Sequence, residues 1–145
     1  MIVQAYLPIH KYEWLRLRCA LWPTCTRAEH EAEQDWWLEQ ADVAVFVVKS
    51  DDGSLIGFAE TSIHTEAPGC STDRIGFLEG WYVEEAYRKR GIGRALNDAV
   101  EQWARERGCT EMASDTGPEY PDSHAAHLGI GYCEAGDPFN FFKRL

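Results

Sequence analysis

The run Arg88-Lys89-Arg90-Gly91-Ile92-Gly93-Arg94 places four cations and two glycines within seven residues. A β-type run, Gly76 to Val83, leads into it, and a helical pattern follows. A helix start carries unpaired N–H groups and a partial positive charge, so it is a prepared site for an anion. Glycine lets those N–H groups approach a phosphate with no Cβ in the way. The whole chain has 14 basic and 24 acidic side chains, a formal charge of −10. A local reversal of sign in so acidic a protein requires a cause, and a pyrophosphate supplies one. A surface turn capping a helix would account for the charge, but not for the glycines and the strand together.

Elements on either side must hold this turn in place. Ile2 to Leu7 reads as a first strand, and His10 to Trp22 as a helix with Trp14, Leu15, Leu17, Leu21 and Trp22 on one stripe, closed by Pro23. Thr26 with Glu29 forms a capping box that opens an acidic helix to about Gln40. Val43 to Lys49 is a buried strand, Asp51-Asp52-Gly53-Ser54 a hairpin turn, and Leu55 to His64 the returning strand. A loop from Thr65 to Asp73 precedes the strand Gly76 to Val83, in which Gly80 marks a bulge or a close backbone approach. Ile92, Ala95, Leu96, Ala99, Val100, Trp103 and Ala104 define the clearest helix, which Gly108 terminates. Cys109 to Ser114 is a strand, and a short helix runs from near Pro118 to His127 or Leu128. Strand-like material follows from Tyr132, broken at Gly136-Asp137-Pro138 and ending with Phe139 to Lys143.

Composition narrows the function classes. The chain of 145 residues is 45% hydrophobic and rich in aromatics, which suits one α/β domain with its own core. The net negative field disfavours nucleic acid and anionic membranes and favours cations. Cys19, Cys25, Cys70, Cys109 and Cys133 are odd in number and form no C-x-x-C pair, so neither a disulfide framework nor a metal site is expected. Cys109 and Cys133 are expected as small core residues. His10, His30, His64 and His124 lack metal spacing and are expected at the surface or in packing. No signal-like or membrane-spanning run is read, so a cytoplasmic location is expected.

The pattern Arg88-x-x-Gly91-x-Gly93, after a strand ending at Val83, resembles the coenzyme A motif of the GNAT N-acetyltransferase superfamily. The resemblance implies an α/β GNAT fold, a mixed and largely antiparallel sheet flanked by helices, with residues 1–145 as a single domain. It implies acetyl-coenzyme A as co-substrate, its pyrophosphate on the amides of Lys89, Arg90, Gly91, Ile92, Gly93 and Arg94 beside Arg88. The pantetheine arm would pair with the backbone of Trp81, Tyr82 and Val83 like an added strand. His127-Leu128-Gly129-Ile130-Gly131-Tyr132 resembles the second coenzyme-binding segment. His127 stands where many members have Tyr, and Tyr120, a cofactor contact by the same resemblance, stands where many have Asn. The acid that protonates the departing thiolate is left open.

Within the superfamily the chain resembles the aminoglycoside 6′-N-acetyltransferases. The resemblance rests on Leu21-Trp22-Pro23, Gly57-Phe58-Ala59, Phe77-Leu78-Glu79-Gly80 and Glu111-Met112-Ala113-Ser114-Asp115-Thr116. It implies a polycationic aminoglycoside as partner and a homodimer as the assembly. Glu79 and Asp115 would flank the acetyl group, hold ammonium groups and accept the amine's proton. Trp22 would form an apolar or cation–π wall, and Glu66 a further acidic contact. Some relatives have an acidic residue where Gly136 sits, and Glu134 or Asp137 are the neighbours that could replace it. Each site residue also has a plain reading: Glu79 as a cross-strand-paired carboxylate, Asp115 as a turn residue, Trp22 as core. Two other functions fit the same motif, acetylation of another amine (a polyamine or a protein N-terminus) and non-catalytic sensing of acyl-coenzyme A.

Overall fold

A computed structural model describes residues Met1–Leu145. Its centre is a sheet of seven strands in the order β1-β2-β3-β4-β5-β7-β6. These are β1 Val3–Ala5, β2 Val43–Lys49, β3 Leu55–His64, β4 Ile75–Val83, β5 Glu111–Asp115, β6 Cys133–Glu134 and β7 Asn140–Arg144. All neighbours are antiparallel except β4 and β5, which run parallel. The β2–β3 hairpin turns at Gly53, whose φ of 87° is open to glycine at no steric cost.

Helices cover both faces. α1 (Lys11–Leu21) and α2 (Arg27–Glu39) press Trp14, Leu17 and Trp37 onto Val45, Val47, Leu55 and Phe58. α3 (Ile92–Glu106) lays Leu96, Val100, Trp103 and Ala104 over Val48, Ile56, Ala59, Leu78 and Met112 on the opposite face. α4 (Pro121–Gly129) follows β5. The capping box at the start of α2 is present: Thr26 Oγ1 accepts from the Glu29 amide at 3.1 Å, and Glu29 accepts from the Thr26 amide at 3.0 Å. Gly108 ends α3 with φ +82°.

Several expectations need correction. The first strand is only three residues long, because Pro8 to His10 form a 3-10 turn. α4 begins at Pro121 and not near Pro118, since Gly117 to Tyr120 close a turn through the Tyr120 amide and the Gly117 carbonyl at 3.1 Å. Cys133 lies exposed on the edge strand β6, whereas Cys109 is buried as expected.

Two irregularities in the sheet create the site. In the β3–β4 ladder Glu60 faces Gly80 and Thr61 faces Leu78, so Glu79 is the extra residue of a bulge. The parallel β4–β5 ladder spans only Gly76 to Leu78 against Met112 to Ser114. Beyond that point the two strands separate, and the edge of β4 from Glu79 to Val83 has no strand beside it.

Candidate active site

The gap between β4 and β5 opens into a cleft of about 1110 Å³. Leu21 and Trp22 from the end of α1, Glu79 to Val83 from β4, Arg88, Lys89 and Gly93 from the basic turn, Ser114 and Asp115 from β5 and the start of α4 all line it. Cations therefore stand at one end and carboxylates at the other.

The cationic end is shaped by backbone. Lys89 has φ 63° and Gly91 has φ 83°, two left-handed residues in a tight turn. Gly91 is the N-cap of α3 and supplies no side-chain cap, so the first amides of α3 keep no partner from within the helix. Trp81 donates from Nε1 to the Gly93 carbonyl at 3.0 Å and ties strand to helix. A Cβ on Gly93 would stand 3.2 Å from the Trp81 ring, so this glycine serves close packing as well as access.

Not every cation expected here reaches the cleft. Arg88 lines it, while its Nε donates to the Val83 carbonyl at 2.7 Å. Arg94 turns away and donates to the Gly129 carbonyl at 2.8 Å, fastening α3 to α4. Arg90 lies over the Tyr87 ring at 5.4 Å, and the Ile92 side chain is buried in the core. Ile92 and Arg94 can therefore serve a phosphate through their backbone amides and not through their side chains.

At the acidic end Glu79 projects from the bulge. Its Oε1 accepts from Ser62 Oγ at 3.0 Å and meets His64 Nε2 at 2.6 Å. The cross-strand pairing foreseen for Glu79 is thus real, and it coexists with a place in the cleft lining. Asp115 ends β5 at the cleft mouth. Its carboxyl is pushed above the usual carboxylate range, first by loss of surrounding water and then by the negative charge of Glu79. Such a carboxyl is a better proton acceptor near neutral pH.

Trp22 forms a wall, and the reason lies beneath it. A Cβ on Gly80 would come within 2.7 Å of Trp22 Cη2, so the indole lies directly on the bulge. Arg18 packs over that indole at 4.8 Å and pairs with Glu60 and Glu33. His30 Nε2 holds the Trp22 carbonyl at 3.0 Å. Burial pushes the Glu60 carboxyl up and Arg18 pulls it back, so a buried ion pair supports this wall.

The remaining expected contacts are placed differently. Glu66 is exposed and lies outside the cleft lining. Tyr120 lines the cleft, but its hydroxyl donates to the Leu21 carbonyl at 2.9 Å. His127 is buried between Ser114 Oγ and the Ser123 carbonyl, each at 2.8 Å, and stacks on Phe141. Burial lowers its pKa, which keeps the ring neutral. Neither stand-in for Gly136 points into the cleft: Glu134 meets His124 at 2.6 Å, and Asp137 folds onto the amides of Phe139 and Asn140 at 2.8 Å. Reading of the sequence missed Ser62, His64 and Arg18. For Ser62 and His64 alternation along β3 was the available signal, since Glu60, Ser62 and His64 share one face; for Arg18, on α1, there was none.

The chain is similar to known proteins over most of its length. The chain is 44% identical over 135 residues to an aminoglycoside N(6')-acetyltransferase type 1 from Klebsiella aerogenes, covering 91% of this chain and 89% of that one. It is 41% identical to one from Stenotrophomonas maltophilia, over 88% of this chain and 82% of the relative. Among solved structures, AAC(6')-Iy bound to the bisubstrate analog CoA-S-monomethyl-acetylneamine superposes with a TM-score of 0.85 at 36% identity, covering 92% of this chain and 90% of that one. AAC(6')-IG from Acinetobacter haemolyticus superposes with a TM-score of 0.87 at 34% identity, over 93% and 92%. The acetyltransferase (GNAT) family model matches residues 9–132, and the chain belongs to that family.

Proposed function

We propose that this chain transfers acetyl from acetyl-coenzyme A to the 6′-amine of aminoglycoside antibiotics and so confers resistance. The reading is of a single domain over residues 1–145 that works in the cytoplasm as a homodimer, with no nucleic acid or membrane as partner. One observation carries the chemistry: a single cleft joins a cationic glycine turn to a carboxylate pair. The first amides of α3, with Arg88 and Lys89, suit a pyrophosphate, and the free edge of β4 suits an extended amide-bearing arm. Glu79 and Asp115 suit an acceptor that carries several ammonium groups.

An ammonium has no lone pair with which to attack, so the amine first gives a proton to the carboxylate pair, directly or through water. The free amine then adds to the thioester carbonyl, whose developing oxyanion is met by backbone N–H groups near the Glu79 bulge. Collapse breaks the C–S bond, and the nitrogen's second proton passes to the departing thiolate. A thiol with pKa of about 8.5 leaves with little assistance, which fits a site where Tyr120 and His127 are engaged in structural hydrogen bonds. Steady release of thiol with an amine present separates this enzyme from a sensor.

The test is a screen of purified enzyme over aminoglycosides, polyamines and peptide N-termini, with NMR of the product locating the acetyl. We expect turnover on 6′-amino compounds and a KM that rises with salt, as screening over about 8 Å at physiological strength weakens attraction to the cleft. Turnover confined to polyamines or peptides would replace the substrate assignment.

A further inference from the structure

On the far side of Glu79 from the cleft lies a second hollow of about 420 Å³. It is formed by Trp36 and Trp37 of α2, by Asp42 just before β2, and by Ser62, Ile63 and His64 at the end of β3. Glu79 is the one residue common to both linings. Its two carboxylate oxygens are used unequally. Ser62 and His64 both meet Oε1, and no side chain occupies Oε2. The His64 ring stacks on Phe77 with centroids 4.1 Å apart and is 37% exposed, so it is oriented by packing yet open to solvent.

We propose that Glu79 and His64 form the exit path for the proton released by acetyl transfer, leading it from the cleft through Oε1 to His64 and out through the second hollow. The inference rests on the acetyltransfer reading above. Conversion of an ammonium and a thioester into an amide and a thiol liberates one proton per turnover. The carboxylate pair takes that proton from the amine and must lose it before the next cycle. His64, with its ring proton on Nδ1, accepts at Nε2 from Glu79 Oε1, which regains its charge. The Nδ1 proton leaves to water or buffer, and proton exchange with solvent at the open ring returns the remaining proton from Nε2 to Nδ1 before the next cycle. The charged groups around His64 are Glu79 from β4, Asp115 from β5, and Asp42 in the same hollow, which Arg107 neutralises at 3.3 Å. Of these only Asp42 is met by an arginine, so the charged groups left facing the ring are both negative. The protonated ring in turn draws the Asp115 carboxyl down, against the two effects that raise it.

His64→Gln and His64→Ala test the path. Glutamine can still donate an N–H to Oε1 but cannot accept and release a proton at that position. We expect both variants to lose about tenfold in kcat, a modest share of what proton transfer groups contribute. Their acetyl-coenzyme A affinity should stay unchanged, and the acid limb of kcat/KM should move to higher pH. Added imidazole should restore much of the rate in His64→Ala. Wild-type kcat and pH profile in His64→Gln would reduce His64 to a positioning residue, and lack of rescue by imidazole would overturn the path as well. Wild-type enzyme in the same assay tests the substrate reading separately, because the variants are compared on whichever amine it acetylates.

Discussion

The two ends of the cleft are built by different means. At the basic turn the groups offered to a ligand belong mainly to the main chain: amides freed at a helix start, a strand edge without a neighbour, and two residues in left-handed conformation. At the acidic end the offered groups are side chains, and each needs support from elsewhere. Glu79 is held by Ser62 and His64, and Trp22 by Arg18, His30 and the bare Cα of Gly80. The first kind of site is sensitive to backbone conformation and tolerant of lost side chains. The second is the reverse.

The sharpest break would come from the double replacement Gly91→Val, Gly93→Val. A β-branched residue at φ 83° is strained, and one at position 93 presses on Trp81. Each effect is worth about 1–3 kcal/mol, so as the turn relaxes acetyl-coenzyme A affinity should fall by at least about 30-fold. Calorimetric titration of the folded variant measures this, and an unchanged Kd would remove the turn from the coenzyme site.

Asp115→Asn acts on the other end. Loss of a charge-assisted hydrogen bond to the acceptor should cost about 1.5–3 kcal/mol, roughly a ten- to hundredfold drop in kcat/KM. Coenzyme affinity should not change. Because the Asp115 pKa is raised, its basic form disappears as pH falls through a value above the ordinary carboxylate range, and the acid limb of kcat/KM should lie correspondingly high. The linkage sign is also fixed: a raised carboxylate pKa weakens folding above the unfolded-state value, so Asn should leave Tm equal or higher at neutral pH. Wild-type kinetics on every aminoglycoside would make Asp115 a turn residue only.

The smallest effect is expected from Arg94→Ala. Its guanidinium serves the Gly129 carbonyl, so coenzyme affinity should change by less than about threefold, well under the roughly 1.4 kcal/mol of a tenfold shift. The loss should appear in Tm, read by thermal melting. A coenzyme affinity loss as large as that of the glycine variant would show that side chains carry this end too.

The same division explains what could be read from residue order. The basic turn was legible because its parts are contiguous, and glycine states a backbone requirement directly. The β2 and β3 strands were read to the residue, since Val43 to Lys49 and Leu55 to His64 are bounded by a strong turn. The acidic end was legible only through resemblance to a family. Gly80 marked the bulge, but the β3–β4 register that sets Glu79 beside Ser62 and His64 is encoded by no local pattern. That is why His64 read as packing and why Glu66, on an exposed loop, read as a contact.

With three residue pairs joining β4 to β5, the sheet consists of two panels meeting along a short seam. On the function proposed, a coenzyme lying in the wedge braces the panels, and such a guest adds to folding free energy as RT ln(1 + [L]/Kd), about 2.7 kcal/mol at a hundredfold excess over Kd. The reactant then doubles as scaffolding, and a host's coenzyme supply governs how much of the protein survives proteolysis as well as how fast each copy works.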